Sequence, residues 1–405
     1  MKKMDSVFMF FCALLVMLMI PALALFYGGM VQSKNVLSTT MHSYTSLAIV
    51  AFQWIMIGYS IAFGPDIMGL FGNFDWVGLK DVGYAANPDY SETIPHSLFM
   101  MFQLMFAALT PAIMSGAFAE RMKFSSFMLF ILLWTTLVYD PIAHWVWGVG
   151  GWLREMGALD FAGGTVVHIA SGVSGLVVAL VLGKRKLKGE SRPYQLPLTI
   201  FGAGLLWFGW YGFNVGSALT LNGVAINALV TTTVATAMAS LGWMICEWIV
   251  NKKPTAVGAA NGIVAGLVAI TPACGFVSPI ASVAIGLLSG MICYYAVSHL
   301  KTALKYDDTL DAFGLHGFGG IWGAIATGLF ASTSVNEAGA DGLFAGGGFH
   351  LLWTQCIAVG ATIAFAGAAT FIIIKLVNVV IPIRVEEEHE EKGLDESLHG
   401  EKAYI

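Results

Sequence analysis

Charged residues are scarce in this sequence. They make up 11% of the 405 residues, whereas about a quarter of a typical soluble domain is charged. Hydrophobic residues account for 57% of the chain. This balance excludes a soluble globular domain and predicts an integral membrane protein.

Cysteine is also scarce, and its spacing excludes two further kinds of site. The five cysteines all fall in apolar segments, and no two of them form a CxxC pair: Cys12, Cys246, Cys274, Cys293 and Cys356. They are interpreted as small core residues, so neither a disulfide framework nor a metal site is predicted. No cofactor is expected, and the chain is not expected to be an enzyme.

Long apolar runs recur along the whole chain. A run of about 20 residues is long enough to cross a bilayer as a helix, and the alternating pattern of a β-barrel is absent. The predicted helices are 7–31, 41–63, 97–119, 125–146, 162–183, 196–219, 224–249, 257–276, 279–300, 310–331 and 350–376. Lys2, Lys3 and "PALA" resemble a signal peptide, but the run from Val7 to Val31 is longer than a signal core, so we interpret it as a retained helix.

The basic residues are unevenly distributed between the two sets of loops. If the N-terminus is outside, only four of the 20 basic residues lie outside: Lys2, Lys3, Lys80 and Arg154. Because basic residues favour the cytoplasmic side, the sequence predicts an outside N-terminus and a cytoplasmic C-terminus. An odd number of helices also requires the two termini to lie on opposite sides of the membrane.

Two distant segments carry the same polar pattern. "DFAGGTVVHIASGVSGLVV" (160–178) and "DTLDAFGLHGFGGIWGAIA" (308–326) both contain D-x7-H-x3-G-x2-G, which aligns Asp160 with Asp308 and His168 with His316. The matching helices are the fifth and the tenth, so the second copy starts from the opposite side of the membrane. The pattern therefore predicts an all-α membrane protein with two inverted five-helix repeats, about 7–183 and 196–331, and an extra helix at 350–376.

The paired histidines have two interpretations. Each could be a core histidine bonded to a neighbour, but two at equivalent depths favour a polar element that lines a pathway. Counting residues from the helix starts leaves about 10 Å of bilayer between them. Asp160 and Asp308 lie near helix starts, where a capping role is favoured over proton chemistry. Asp160 could also stabilise a cation in an outer vestibule.

Aromatic residues cluster near predicted outer helix ends. "LLWFGWYGFNVGSAL" (205–219) contains Phe213 and Ser217, "MFQLMF" (101–106) ends at Phe106, and "HWVWGVGG" (144–151) contains Trp147. Most such rings belong to the interfacial belt or the core. Ring faces can also bind a small cation, and a serine hydroxyl can accept a hydrogen bond from it.

Taken together, these motifs resemble the ammonium transporter family (Amt, Mep and Rhesus proteins), especially its prokaryotic Amt branch. The resemblance is carried by "ALFYGGMV", "FAALTPAIMSGAFAERMKF", "HWVWG", "GALDFAGGTVVHI", "LLWFGWYGFNVGSAL", "NGIVAGLVAITPACGF", "DAFGLHGFGGIWG" and "GLDESLHGEKAY". It implies an eleven-helix homotrimer with a pore through each subunit. The segment "WGVGGWLREMGALD" is one residue longer than the usual pattern, which affects the lip of the vestibule.

The resemblance also implies a role for each site residue. Phe106, Trp147 and Ser217 would recruit ammonium at the outer side, and Phe106 and Phe213 would form a stacked gate. His168 and His316 would be twin pore histidines in contact with each other. Asp160 would be the acidic residue beside the pore mouth. The ion would lose its proton, and ammonia would pass an apolar pore, with net charge transport as the favoured mode.

Other functions stay open at this point. An electroneutral ammonia channel and an ammonium receptor with little flux are the main alternatives. A receptor would often carry an appended signalling domain, for which a tail of about 25 residues leaves no room. A transporter of organic solutes would have charged, unwound midplane segments, and a Rhesus-like carbon dioxide conduit would lack the aromatic recruitment residues.

The chain divides into a membrane domain (1–380) and a cytoplasmic tail (381–405). The acidic run "EEEHEE" (386–391) is expected to be solvated tail, and the segment after it resembles an ordered family segment that contacts the inner face. The basic loop "GKRKLKGESR" (183–192) either enforces topology or attracts a PII-type signalling protein. The expected location is the cell membrane, without nucleic-acid partners.

Overall fold

The computed structural model describes residues 3–186 and 193–404. Its long helices, in chain order, are α1 Lys3–Met30, α2 Ser33–Phe63, α3 His96–Phe118, α4 124–147, α5 Gly164–Leu182, α6 Leu196–Gly216, α7 Gly223–Asn251, α8 Ala256–Ile270, α9 Pro279–Leu304, α10 313–330 and α11 His350–Val380. A short hairpin pairs strands β1 Asp66–Ile67 and β2 Phe71–Gly72. The protein is a multi-pass helical membrane protein.

Within the described residues, nine helices are long and apolar enough to cross a membrane. Helix α8 has 15 residues, fewer than the 20 predicted over 257–276. It ends at Ile270 because Pro272, two residues later, restricts the preceding backbone and cannot donate to the helix. Helix α10 begins at Phe313 rather than at residue 310, after Asp311, whose φ of 60° is not helical.

Several helices contain a π-helical turn. Such turns occur at Trp54–Gly58 in α2, Thr135–Tyr139 in α4 and Ala296–Leu300 in α9. The first turns of α5 (Gly164–Ile169) and α10 (Phe313–Gly317) are also π-helical, and these two contain His168 and His316. Single π turns inside α-helices are frequent at functional sites.

Glycine allows α5 and α10 to cross in backbone contact. A Cβ atom on Gly172 would lie 2.4 Å from the backbone nitrogen of Gly317, and one on Gly320 would lie 3.1 Å from the Cβ of His168. Both glycines stand four residues after a repeat histidine. Side chains at these positions would push the helices apart and separate the histidines.

The two ends of α1 mark two faces of the molecule. Near its start, Asp5 accepts a hydrogen bond from the backbone of Leu221, in the loop after α6. Beyond its end, Asn35 accepts one from the backbone of Leu394, in the tail. The tail therefore lies at the opposite face from the first residues of α1.

The tail is docked on the rest of the chain, and the expected solvated state of the acidic run holds for Glu386, Glu387, Glu388 and Glu391, which are exposed, but not for Glu390. Residues Glu387–Lys392 form α12, and Glu390 in it is only 4% exposed. The Glu390 carboxylate accepts hydrogen bonds from Arg384 and from the backbone of Lys186. Asp395 then accepts from the backbone nitrogens of Leu37 and Ser38 at the start of α2. The basic loop is described only as far as Lys186, and residues 187–192 lie outside the described residues.

Candidate functional site

His168 and His316 contact each other in the interior. Their Nδ1 atoms are 3.1 Å apart, and the side chains are 0% and 3% exposed. The 10 Å separation obtained by counting residues is therefore wrong. The count assumed that α5 and α10 start at the membrane surface, but the residues before them are already buried, since Asp160 and Asp308 are 8% and 1% exposed. The glycine contacts then let the two helices approach closely. The contact also shows that the two histidines do not lie in separate parts of the core.

Trp210 covers the histidine pair, although the sequence suggested no individual role for it. Its ring stacks on His168 with centroids 5.3 Å apart and planes inclined by 26°. Its indole nitrogen donates to the hydroxyl of Thr271, 2.9 Å away, just beyond α8. The sequence contained one indication that Trp210 belongs to the site. It precedes Phe213 by three residues, and residues three apart lie on the same face of a helix.

Above the histidines lies a pair of stacked phenyl rings. Phe106 from α3 and Phe213 from α6 have centroids 4.1 Å apart and planes inclined by 26°. Phe213 also lies 6.0 Å from the ring of His168. Trp147 and Phe106 meet edge to face, with ring centroids 6.0 Å apart. A continuous series of rings thus leads from Trp147 to the histidines.

A cavity of about 220 Å³ opens above the stacked rings. It is lined by Phe63, Asp89, Tyr90, Phe99, Gln103, Phe106, Val146, Trp147, Arg154, Phe161, Ser217 and Leu219. The Ser217 hydroxyl donates to the backbone carbonyl of Phe213 at 2.9 Å. Because its hydrogen is used there, its lone pairs remain available to accept a hydrogen bond from a guest.

Asp160 is occupied by its own helix. Its carboxylate accepts hydrogen bonds from the backbone nitrogens of Gly163, Gly164 and Thr165 and from the Thr165 hydroxyl. Its backbone carbonyl accepts from the Trp147 indole at 2.9 Å. Asp160 thus caps α5 and holds Trp147 at the cavity.

Asp308 occupies the corresponding position before α10. Its carboxylate accepts from the backbone nitrogens of Ala312 and Phe313 at 3.0 and 2.8 Å. Capping of this kind satisfies amide groups that lack partners in the first helical turn. The two repeat aspartates therefore both cap the helices that carry the histidines.

A second, much smaller cavity lies on the other side of the histidines. It has a volume of about 10 Å³ and is lined by apolar side chains together with Trp210 and His316. A space of this size holds about one water molecule. Within the described residues, no group of three or more His, Cys, Asp or Glu side chains could hold a metal ion.

Comparison with known proteins identifies relatives along nearly the whole chain. The sequence model described as "Ammonium Transporter Family" matches residues 7–404. An "Ammonium transporter" of Bacillus subtilis (strain 168) is 61% identical over 404 residues, covering 100% of this chain and 99% of that protein. The crystal structure of Mep2 from Candida albicans matches with a TM-score of 0.89 at 35% identity, over 96% of this chain and 88% of that one. The structure of a "Sensor Amt Protein" matches with a TM-score of 0.88 at 29% identity, over 98% of both chains.

Proposed function

This chain belongs to the Ammonium Transporter Family, and we propose that it transports ammonium across the cell membrane. The observation that carries the proposal is the buried contact between His168 and His316, 3.1 Å apart, beneath the stacked rings of Phe106 and Phe213. The protein acts as a transporter rather than as an enzyme. Its substrate is ammonium in water and ammonia in the pore.

Capture takes place in the outer cavity. Trp147 and Phe106 offer aromatic rings to the ion, and a cation–π contact contributes about 2 kcal/mol once water is removed. The Ser217 hydroxyl, whose hydrogen is bound to Phe213, accepts one N–H of the ion. The stacked rings of Phe106 and Phe213 then close the pore below the bound ion.

The ion loses a proton before it passes these rings. Moving an unpaired ammonium ion into a low-dielectric interior costs tens of kcal/mol, far more than a few cation–π contacts return. Removing the proton costs only about 1.36 kcal/mol for each unit by which the ammonium pKa exceeds the ambient pH. Potassium has no proton to lose, so the same barrier excludes it.

The histidine pair forms a relay for the neutral molecule. A neutral imidazole has one N–H and one acceptor nitrogen. A hydrogen bond between the two Nδ1 atoms requires a hydrogen on one of them only, so one Nε2 is then an acceptor and the other is a donor. Ammonia, which both donates and accepts, can bond to either end. The proton lost above the rings passes to water in the outer cavity. Net charge transport then requires a proton to bind the acceptor Nε2, the hydrogen between the Nδ1 atoms to shift to the second ring, and the hydrogen on the Nε2 of that ring to leave.

The proposed membrane arrangement has eleven spans. Nine helices of the described residues have the length and apolarity for this. Helix α8 is the tenth: its start contacts Glu247 near the end of α7, while the carbonyls of Cys274 and Val277, beyond its end, accept from Asn227 near the start of α7. Helix α10 (313–330) is the eleventh. The ten helices in 7–183 and 196–331 form two inverted repeats, followed by α11. The N-terminus is outside, and the docked tail 381–405 is cytoplasmic.

The assembly is proposed to be a homotrimer, with one pore in each subunit. A PII-type signalling protein is the proposed regulator at the cytoplasmic face. There the described part of the basic loop, residues 183–186, lies beside the docked tail, as the contact between Lys186 and Glu390 indicates.

The proposal is tested by removing both imidazoles. We expect the double variant His168→Ala and His316→Ala, purified and reconstituted in liposomes, to lose the current that follows an ammonium pulse on a solid-supported membrane. The control is His350→Ala, an exposed histidine at the start of α11, which should retain the current of the unaltered protein.

Three results would contradict the proposal. A full ammonium current in the double variant would exclude the relay. An unaltered protein that gives neither a current nor a change in internal pH would indicate a sensor, the function for which one structural relative is named. A change in internal pH without current would indicate an electroneutral ammonia channel instead.

A further inference from the structure

Arg154 brings a positive charge into the cavity in which we propose that ammonium is captured. It follows α4 in the short helix Trp152–Glu155. Its side chain lines the outer cavity together with Trp147 and Ser217. Its Nη1 atom donates to the backbone carbonyl of Trp147 at 2.6 Å.

The charge of Arg154 is not neutralised by direct contact. Among residues 3–186 and 193–404, no carboxylate forms an ion pair with Arg154. The guanidinium group of an arginine carries a positive charge. Its electrostatic field therefore acts on any cation that enters the cavity.

Asp89 provides the opposite charge in the same cavity. It is exposed, lines the cavity beside Tyr90, and has no ion pair in the described part of the chain. Tyr90 connects two parts of the chain near the cavity. Its hydroxyl donates to the carbonyl of Phe63 and accepts from the backbone nitrogen of Val149. One acidic and one basic side chain thus line the same mouth.

We propose that Arg154 and Asp89 determine how readily ammonium is captured, Arg154 by repelling the ion and Asp89 by attracting it. This inference rests on the proposed transport function. Both side chains act through their charge on the concentration of the ion at Trp147 and Ser217. They do not contact the gate or the histidines, so they set the apparent affinity and leave the maximal rate unchanged.

The direction of each effect follows from the sign of the charge. At an ionic strength near 10 mM the screening length is about 30 Å, and a charge at the mouth of an open cavity then changes local ion concentration by roughly threefold. Arg154→Gln should lower the ammonium concentration for half-maximal current by about that factor. Asp89→Asn should raise it by a similar factor. At about 1 M salt, where screening acts within about 3 Å, both differences should disappear.

The experiment measures peak current against ammonium concentration in proteoliposomes, with choline chloride setting the ionic strength. Arg154→Lys separates charge from position, because it keeps the charge and replaces the guanidinium that bonds to Trp147. It should behave like the unaltered protein. Lys80→Gln removes a positive charge from the same face but outside the cavity, and it should have a smaller effect than Arg154→Gln.

The following results would contradict the inference. Equal half-maximal concentrations for the unaltered protein and Arg154→Gln at low salt would overturn it while leaving transport intact. A change that persists at high salt, or that Arg154→Lys shares, would show that Arg154 acts by positioning Trp147. An unaltered protein without any ammonium response would overturn the proposed function and this inference with it.

Discussion

Trp147 is held from two sides at the cavity above the stacked rings of Phe106 and Phe213. Its indole nitrogen bonds to the carbonyl of Asp160, and its edge contacts the ring of Phe106. The sequence placed this tryptophan at an outer helix end, where most tryptophans only anchor a helix in the membrane interface. Its orientation comes from Asp160, which lies 13 residues further along the chain.

Replacing Trp147 with leucine should weaken ammonium capture. Because the leucine side chain has no aromatic face, the loss of a cation–π contact should raise the half-maximal ammonium concentration about tenfold. Currents measured over a range of ammonium and potassium concentrations would check this, and potassium should also compete more effectively. Trp353→Leu, in a side chain exposed on α11, serves as control. An unchanged half-maximal concentration would remove Trp147 from the site.

Other residue-scale features were only partly predictable. The preference for capping over proton chemistry at Asp160 agrees with its bonds to three backbone nitrogens. By contrast, the bond between the Ser217 hydroxyl and Phe213 and the stacking of Trp210 on His168 depend on side-chain rotamers. A pattern of residue types carries no information on rotamers.

At the scale of elements, the crossing of α5 and α10 brings the two histidines together. Gly172→Ala would place a Cβ atom 2.4 Å from the backbone of Gly317, and backbone cannot move aside as a flexible side chain can. We expect at least a tenfold loss of ammonium current, because the helices must separate and the 3.1 Å contact must lengthen.

Gly204→Ala is a matched control for this change. Gly204 is also inside a helix, and a Cβ atom there would meet nothing within 4 Å. Both changes favour helix formation by about 1 kcal/mol, so a difference between them reports the crossing alone. Equal currents in the two variants would show that close packing at Gly172 is not needed.

The π-helical starts of α5 and α10 are element-scale features that the sequence did not predict. A positive φ precedes each of them, at Gly163 (116°) and at Asp311 (60°). Hydrophobic runs identify an apolar segment without indicating which carbonyl each amide contacts. For this reason the runs gave helices that start two or three residues too early. They also gave no sign that the residues before these helices are buried, which is why the histidines were placed too far apart.

At the scale of the whole molecule, one face is joined by a charged network. Arg185 forms ion pairs with Glu120, after α3, and with Asp307, before α10. Its neighbour Lys186 donates from the backbone to Glu390 in the tail. The segment after α3, the segment before α10 and the tail are therefore all bonded to Arg185 or Lys186.

Arg185→Gln should lower the melting temperature of the purified protein. Partial burial alone would raise the pKa of Asp307, but hydrogen bonds and the charge of Arg185 lower it to about 2. Since an unfolded aspartate titrates near pH 3.9, the stabilisation is complete above about pH 4 and is lost as the pH falls towards 2.

The pH dependence gives this prediction a clear check. Thermal unfolding followed by fluorescence should show a constant difference between the unaltered protein and Arg185→Gln from about pH 8 to about pH 5, and a smaller difference below about pH 4. Lys186→Gln, which removes an exposed pair with Glu387, should have little effect at any pH. If the difference in melting temperature between the unaltered protein and Arg185→Gln changed between about pH 5 and about pH 8, the assignment to Asp307 would be contradicted.

The sequence by itself determined the membrane class and the order of the helices, and it predicted the residues of the candidate site. Apolar length, scarce charge and the repeated D-x7-H-x3-G-x2-G pattern are properties of residue types, and a bilayer sorts residues by type. The family resemblance implied that His168 and His316 touch and that the end of the tail is ordered. Only the tertiary structure decided the 3.1 Å distance between the two Nδ1 atoms, the stacking of Trp210 on His168, the place of Arg154 in the cavity wall and the burial of Glu390. The physical reason is that these contacts join residues far apart in the chain, so they depend on backbone crossings, helix starts and rotamers that local patterns do not encode.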